Sequence, residues 1–318
     1  MTITDRIDRI THMTEEYSAK FLPAPKSVKI ELTGRCNFNC FFCARSMRLR
    51  EQQDMDFDMF KRLAMEMKEA GVEELGLFYL GESMLLKWLP DAIRYAKEEC
   101  GYDYVFLTTN ASLETKKKVR ACLEAGLDSL KFSLNYADED QFVEIAQVKK
   151  TIYKKMIQNM KNSQDIRDDV EEATGHRCGL YASYIQYDGS QGEKMKTVVD
   201  DLTPFLDEIY ALPLYSQADF VGKAEEEKGW TVTAGNRGRL DNLTVPVPCW
   251  AAFTEGHITW DGHLSACCFD HDGKFHMGDL KEVSFMDAWN SQKFQDLRAA
   301  HLKKDLCGTV CEKCVVYN

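Results

Sequence analysis

The chain has 318 residues, of which 44% are hydrophobic and 29% are charged. This composition is that of a globular protein with a buried core, and it excludes a low-complexity or largely disordered chain. The length corresponds to about two domains, or to one barrel with an additional unit. Because acidic residues outnumber basic residues by 51 to 40, general binding to nucleic acids or to anionic membranes is disfavoured.

The sequence contains neither a membrane-spanning segment nor an export signal. No run of about 18 apolar residues occurs, and residues 1–25 mix charges throughout instead of forming the apolar centre of a secretory signal. We therefore expect a cytoplasmic protein without a membrane partner. In that compartment the twelve cysteines favour metal or cluster ligation over disulfides.

Strand and helix patterns alternate along residues 26–216, after a helical lead-in over residues 1–25. Apolar and polar residues alternate from Ser27 to Leu32, and an apolar helix face begins near Asp56 and ends near Gly71. Further strands are predicted at 75–80, 104–108, 128–134, 178–186 and 209–215, and further helices at 90–100, 113–125, 139–172 and 193–206. Six such units predict an α/β fold with a parallel sheet, either a partial (βα)6 TIM-like barrel or a doubly wound open sheet.

The regular pattern stops after residue 216. We interpret residues 217–248 as a linker because turn-forming residues interrupt every apolar run there. Residues 249–318 predict a small C-terminal α+β domain. It has a hairpin between His257 and Cys268 with an Asp-Gly turn, and one amphipathic helix from Ser284 to Lys303.

Three cysteines follow the first predicted strand directly: Cys36, Cys40 and Cys43. Thiolates at this spacing in one loop can bind three corners of a cuboidal iron–sulfur cluster. No fourth cysteine is near, so the remaining iron is left for another ligand, as in catalytic metal sites with an open position. The alternatives are a zinc site that lacks a ligand, or three free thiols.

Cys-x3-Cys-x2-Cys after a first barrel strand resembles the radical S-adenosylmethionine (SAM) superfamily. The resemblance implies a [4Fe–4S] cluster that binds SAM, with Phe42 beside the adenine. Leu80-Gly81-Glu82-Ser83 resembles the Gly-Gly-Glu-Pro segment of the family, although its first and last residues differ. This likeness implies that Gly81 and Glu82 hold the methionyl amino group, which suits a carboxylate beside an ammonium group.

Polar residues end the third and fourth predicted strands. Thr109 and Asn110 follow one of them, and Ser133 and Asn135 follow the next. Barrels of this type place their sites at the carboxyl ends of the strands. The resemblance implies that Asn110, Ser133 and Asn135 contact the ribose and carboxylate of SAM, whereas the alternative is an ordinary capping role.

The carboxyl-terminal cysteines resemble the SPASM/Twitch extension of radical SAM enzymes. The shared features are a Cys…Gly-x4-Cys hairpin, a Gly-Asp-Leu turn, a Trp-Asn-Ser helix and closing cysteines. The resemblance implies one auxiliary [4Fe–4S] cluster with four ligands: Cys249, Cys267, Cys311 and Cys314. We expect Cys268 to face away from Cys267, because neighbouring strand residues point to opposite faces. Cys307 is kept as a reserve ligand, and a zinc knuckle is the alternative.

The resemblance implies reductive cleavage of SAM to a 5′-deoxyadenosyl radical, with electrons from an external donor such as flavodoxin or ferredoxin. We expect hydrogen abstraction from a sugar, cyclitol or nucleoside-like small molecule, with the auxiliary cluster assisting oxidation. The first alternative is a peptide-modifying enzyme, which crosslinks or epimerises residues and often carries a leader-binding domain longer than the segment before Cys36. A non-catalytic electron carrier is disfavoured by the open cluster site and Glu82. Nucleic acid is not an expected partner.

No catalytic acid or base is assigned from the sequence. Cys178 lies on the fifth predicted strand. If its thiol faces the cavity, it is a candidate hydrogen donor to a substrate radical. The alternative is a buried packing thiol, which is the common role of a free cysteine in a strand.

Overall fold

The computed structural model describes residues 2–43, 49–220 and 229–315. Six strands pair in parallel, each with the next in the chain: β1 (Ser27–Ile30), β2 (Glu74–Gly76), β3 (Tyr104–Thr109), β4 (Ser129–Ser133), β5 (Gly179–Ile185) and β6 (Glu208–Leu212). A doubly wound sheet reverses its strand order at a switch point, and this order does not reverse. The prediction of a partial (βα)6 barrel is confirmed.

Helices connect these strands and cover the outer face of the sheet. They are α2 (Phe57–Glu69), α3 (Leu89–Arg94), α4 (Lys116–Glu124), α5 (Glu139–Ala146), α6 (Thr151–Thr174) and α7 (Gln191–Leu202). The Asp56 carboxylate caps α2 by accepting a hydrogen bond from the Met59 amide at 3.0 Å. The single helix predicted over 139–172 is two helices, because Gln147 adopts a left-handed backbone conformation (φ 55°) that ends α5.

Helix α1 (Ile3–Thr11) lies across the amino ends of the barrel strands. Its first amide, on Ile3, donates to the Glu208 carboxylate at 2.9 Å, and Arg6 forms an ion pair with Glu74 at 2.7 Å. Both carboxylates stand at the first residues of their strands. The helical lead-in is thereby attached to the end of the barrel that is opposite the cysteine loop.

The carboxyl-terminal strands extend the barrel sheet. Strand β9 (Glu255–Ile258) pairs in parallel with β1, and β10 (His263–Ser265) and β11 (His276–Asp279) follow in antiparallel, giving nine strands in one sheet. Before them, β7 (Gly238–Arg239) and β8 (Asn242–Leu243) form a short hairpin within the expected linker. The sequence predicted neither the pairing of β9 with β1 nor strand β11.

The remaining helices are α8 (Ala251–Thr254), α9 (Phe285–Trp289) and α10 (Gln292–Lys303). The expected single helix from Ser284 to Lys303 is therefore divided. The division has a local cause, since the Ser291 hydroxyl accepts a hydrogen bond from the Phe294 amide and caps a new helix. In residues 2–43, 49–220 and 229–315, no helix has both the length and the apolar character needed to cross a bilayer.

Candidate functional site

The first cysteine loop leaves the carboxyl end of β1 and is fixed to the end of α5. The amides of Asn39 and Phe41 donate to the carbonyls of Ala146 and Ile145, each at 3.0 Å. A further bond of 3.0 Å, from the Cys43 amide to the Cys40 carbonyl, closes a turn within the loop. The backbone that carries the three cysteines is thus held at the mouth of the barrel.

The three thiols influence one another. The pKa of Cys40 is raised to about 12, mainly by burial and in part by its neighbours Cys43 and Cys36, while a contact of 3.3 Å with the Tyr136 hydroxyl opposes the rise. A free thiolate at Cys40 is therefore disfavoured. Iron that binds the thiolates supplies the positive charge that removes this penalty, so the residues fit a cluster whose irons each take one thiolate.

Gly81 passes against the same loop at a point where no side chain fits. A Cβ atom built there would lie 1.9 Å from the Thr33 carbonyl oxygen and 2.8 Å from that of Arg35. The next amide, on Glu82, donates to the Arg35 carbonyl at 2.8 Å. The end of β2 and the start of the cysteine loop are therefore joined through their backbones, and only glycine permits this approach.

The Glu82 carboxylate is directed into the protein. It is 2% exposed and accepts hydrogen bonds from the Thr109 hydroxyl (2.9 Å), the Asn110 amide (2.8 Å) and the Met84 amide (3.0 Å). The resemblance implied that this carboxylate faces the ammonium group of SAM. In the structure it joins the end of β2 to the end of β3.

A second buried carboxyl group shares the Thr109 hydroxyl. Glu114 lies within hydrogen-bond distance of that oxygen, and burial, with the Glu82 charge, raises the pKa of Glu114 to about 8. One hydroxyl has a single proton and cannot donate to two carboxylates. Glu114 therefore holds a proton at neutral pH and donates it to Thr109, which donates to Glu82.

The other expected SAM contacts lie around the cysteine loop. The side-chain amide nitrogen of Asn110 is 3.9 Å from the Cys36 sulfur and donates to the side-chain oxygen of Asn37 at 2.9 Å. Ser133 and Asn135 are half-buried at the end of β4, and Phe42 is half-buried with its ring 6.2 Å from that of Phe41. The carboxyl ends of β1 to β4 thus bring the predicted residues to one edge of the barrel.

The second cysteine group is assembled from three separate segments. Cys249, Cys267 and Cys314 are buried, and Cys311 is half-buried. Burial raises the pKa of Cys314 to about 12 and that of Cys249 to about 11, and the thiols of this group raise one another's pKa values. These sulfurs form a set whose free thiolates are disfavoured and which metal binding would stabilise. Cys307, by contrast, is exposed.

The expectation that Cys268 faces away from Cys267 is wrong. Strand β10 ends at Ser265, so both cysteines lie in a turn where the alternation of strand faces no longer applies. The two thiols are hydrogen-bonded to each other, and this bond lowers the pKa of Cys268. The side-chain amide of Asn236 also donates to the Cys268 sulfur at 3.4 Å.

Sequence reasoning missed several residues beside the two cysteine groups. The Tyr79 hydroxyl donates to the Cys267 carbonyl at 2.6 Å and so links the end of β2 to the second group. Tyr136 contacts Cys40, and Asn236 lies in the segment interpreted as a linker. A tyrosine inside an otherwise apolar run was the only sequence feature that distinguished Tyr79.

A cavity of about 240 Å³ occupies the inside of the barrel. Its wall includes isoleucines of α1, inward-facing residues of β1 to β4 and of β6, and Cys268. Lys29 projects into it and forms a buried ion pair with Glu255 at 2.7 Å, and Glu255 also lies 3.0 Å from His257.

Cys178 is not at this wall. It lies two residues before Leu180 on the outer, helix-covered face, with 1% exposure.

The family model for the radical SAM superfamily matches residues 30–195. The chain belongs to the radical SAM superfamily. The model of the SPASM iron–sulfur cluster-binding domain matches residues 249–315. Membership makes the chain an enzyme with three cofactors: SAM, a [4Fe–4S] cluster that binds it and an auxiliary [4Fe–4S] cluster.

Curated relatives of this radical SAM chain differ in how much of it they match. A GTP 3′,8-cyclase of Chlorobaculum tepidum is 32% identical over 118 residues, which are 37% of this chain and 35% of the cyclase. A tungsten-containing aldehyde ferredoxin oxidoreductase cofactor-modifying protein of Pyrococcus furiosus is 22% identical over 85% of this chain and 82% of its own. The match to the cyclase thus spans about a third of either protein.

Solved structures share the fold. BtrN in complex with AdoMet and 2-DOIA has a TM-score of 0.58 at 16% identity and covers 91% of both chains. Streptococcus suis SuiB bound to the precursor peptide SuiA has a TM-score of 0.61 at 16% identity, over 87% of this chain and 67% of SuiB. The radical SAM enzymes of this fold therefore include one solved with a small molecule and one solved with a peptide.

Proposed function

We propose that this enzyme cleaves SAM reductively and removes hydrogen from a polar small molecule bound in the barrel cavity. The observation that carries the proposal is the cavity itself, whose wall combines paired charges with tyrosine and threonine hydroxyls. A space of about 240 Å³ lies slightly below the usual range of about 300–1,000 Å³ for small-molecule sites, which favours a compact ligand. Sugar-, cyclitol- and nucleoside-like compounds are the substrate class that such a wall favours.

The first cysteine group would hold the SAM-binding cluster through Cys36, Cys40 and Cys43. The backbone at Gly81 and the side chains of Asn110, Ser133 and Asn135 would bind the methionyl and ribose parts of SAM, with Phe42 against the adenine. The position of Glu82 supports an indirect role for its carboxylate. It would hold the ends of β2 and β3 in the arrangement that SAM requires.

The second group would hold the auxiliary cluster through Cys249, Cys267, Cys311 and Cys314. Cys268 lines the cavity wall, so this cluster would lie beside the substrate. That position suits a role in accepting an electron from the oxidised substrate.

When bound and reduced, the SAM-binding cluster supplies the electron that releases a 5′-deoxyadenosyl radical from SAM, and the organic chemistry belongs to these cofactors. The chain contributes position and the exclusion of water. The residues proposed to contact SAM follow the carboxyl ends of parallel strands, and the cavity is lined by inward-facing residues of the same strands. A substrate in the cavity would thereby have its C–H bond close to the reacting carbon.

Peptide modification is the second candidate function, and the likeness to SuiB (TM-score 0.61) is the observation that favours it.

We further propose a flavodoxin or ferredoxin as electron donor and a cytoplasmic location. The proposed domain limits are a lead-in over 1–25, a barrel over 26–216, a linker over 217–248 and an auxiliary domain over 249–318.

Anaerobic reconstitution tests the proposal. We expect about eight irons per chain, as two [4Fe–4S] clusters require, and formation of 5′-deoxyadenosine with SAM and dithionite. A triple variant, Cys36→Ala with Cys40→Ala and Cys43→Ala, should keep about four irons and form none. The matched control is Cys100→Ala, which removes a buried thiol outside both groups and should keep both properties. Formation of 5′-deoxyadenosine by the triple variant would refute the assignment.

A further inference from the structure

The charged side chains around the barrel cavity are unequally paired. Arg6 pairs with Glu74 at 2.7 Å, and Lys29 pairs with Glu255 at 2.7 Å. These four residues and Lys131, on the inner face of β4, are the charged residues of the wall. Within the part of the chain that the structure describes, the Lys131 ammonium group contacts the Tyr210 hydroxyl at 3.1 Å and forms no ion pair. The wall therefore has one excess positive charge, at Lys131.

The contact between Lys131 and Tyr210 has a fixed direction. An ammonium group can only donate hydrogen bonds, so the tyrosine oxygen accepts. Its own hydroxyl proton remains for another acceptor. The two remaining ammonium protons and this hydroxyl proton can therefore point into the cavity.

A third donor lies beside them. Thr108 is in register with Lys131 across the pairing of β3 with β4, so the two side chains project from the same face of the sheet. The Thr108 hydroxyl is buried and has no hydrogen-bond partner in the described residues. A buried polar group without a partner is costly, and a ligand in the cavity would remove that cost.

We propose that Lys131, Tyr210 and Thr108 form a binding subsite for a carboxylate or phosphate group of the substrate. An anion would receive one charge-assisted hydrogen bond from the ammonium group and two from hydroxyls, and would balance the excess charge of the wall. The inference rests on the proposed function, because it assumes that the substrate occupies this cavity. It narrows the substrate class to small polar molecules that carry an acidic group.

The test measures binding by the reconstituted holoenzyme, without turnover, using two matched ligand pairs in calorimetric titrations. Glucuronate is compared with glucose, and ribose 5-phosphate with ribose, so that the pairs distinguish a carboxylate from a phosphate. We expect the charged member of at least one pair to bind about tenfold more tightly than its neutral partner, as a net charge-assisted hydrogen bond implies. Lys131→Met should reduce that ratio to less than about twofold, Lys131→Arg should preserve most of it, and Thr108→Val should weaken the charged ligand alone.

The matched control is Lys154→Met, which removes a lysine paired with Glu139 on the exposed side of α6 and should leave the ratio unchanged. Thermal melting shows whether each variant is folded. If Lys131→Met does not fold, Thr108→Val tests the subsite independently. Equal binding within each pair, including no binding of any of the four ligands, overturns the proposal, as does an unchanged ratio in Lys131→Met. Formation of 5′-deoxyadenosine is measured separately, so failure of the proposed function is distinguishable from failure of this subsite.

Discussion

The two cysteine groups differ in how the chain assembles them. Cys36, Cys40 and Cys43 lie in one loop that two backbone hydrogen bonds attach to the end of α5. The ligands proposed for the auxiliary cluster come from three segments that are far apart in sequence, beginning with Cys249 and ending with Cys314. The first site is therefore a local structure on a finished barrel, whereas the second exists only when the carboxyl-terminal unit is folded.

This difference predicts that the two sites contribute unequally to stability. A metal that binds residues from distant segments adds its binding free energy to folding, and the second group joins the end of the linker to the last residues described. The first group closes a loop of only a few residues, so removing its cluster should change the folding equilibrium less.

Cys249→Ala should therefore lower the iron content to about four per chain and lower the melting temperature by several degrees. The cysteine is buried beside Asn236, with its sulfur 3.9 Å from the Asn236 carbonyl oxygen. The triple variant of the first group should lose the same amount of iron with a smaller shift in melting temperature. Anaerobic calorimetry with iron analysis measures both quantities. Equal shifts in the two variants would contradict the contrast between a local site and an assembled one.

The same distinction explains what the sequence could predict. The spacing of Cys36, Cys40 and Cys43 is contained in eight residues, and the helices and strands of the barrel follow from local periodicity. The pairing of β9 with β1 brings together residues more than 200 positions apart, and no local pattern encodes it. As a consequence, the positions of Tyr79 and Asn236 beside the second group were not predictable.

One expectation failed because a local rule ended earlier than assumed. Cys268 lies past the end of β10, so strand alternation does not govern its direction. The resemblance assigned Glu82 to the methionyl amino group of SAM, and in the structure Thr109 and Asn110 engage its carboxylate from the neighbouring strand. At both positions a residue distant in sequence, Asn236 or Thr109, donates a hydrogen bond to the side chain.

Each cysteine group has a buried carboxyl group near it, and the contributions of these two carboxyl groups to stability should change with pH in opposite directions. Near the first, the pKa of Glu114 is raised to about 8 by burial and by Glu82. Beside the second, Lys29 and His257 lower the pKa of Glu255 to about 2 against the effect of burial. Stabilisation from Glu114 is complete below the pKa of the unfolded carboxyl and is lost as pH rises towards 8. Stabilisation from Glu255 is present above that unfolded pKa and is lost as pH falls towards 2.

The free energy of unfolding should therefore decrease less steeply between about pH 5 and 8 in Glu114→Gln than in the unaltered protein. The titration of one group can change this free energy by at most about 1.4 kcal/mol per pH unit. Urea denaturation at several pH values measures the slope. Glu172→Gln, on the exposed side of α6, is the matched control and should keep the slope of the unaltered protein. If Glu114→Gln leaves the slope unchanged, the proton assigned to Glu114 is not there.

The smallest effect is expected at Cys178, which lies outside both cysteine groups. Its thiol is 1% exposed on the outer face of the sheet, where burial raises its pKa, and it donates to the adjacent Gly179 carbonyl at 3.6 Å. The sheet separates it from the cavity, so it cannot return a hydrogen atom to a substrate radical there. Cys178→Ala should leave the yield of 5′-deoxyadenosine and the identity of the substrate product unchanged, and should lower the free energy of unfolding by about 1 kcal/mol through a small cavity. Cys268→Ala is the informative comparison, because that thiol lines the cavity wall and its loss should alter the product or the auxiliary cluster. A changed product in Cys178→Ala, measured by mass spectrometry, would mean that the inner and outer faces of β5 are assigned wrongly.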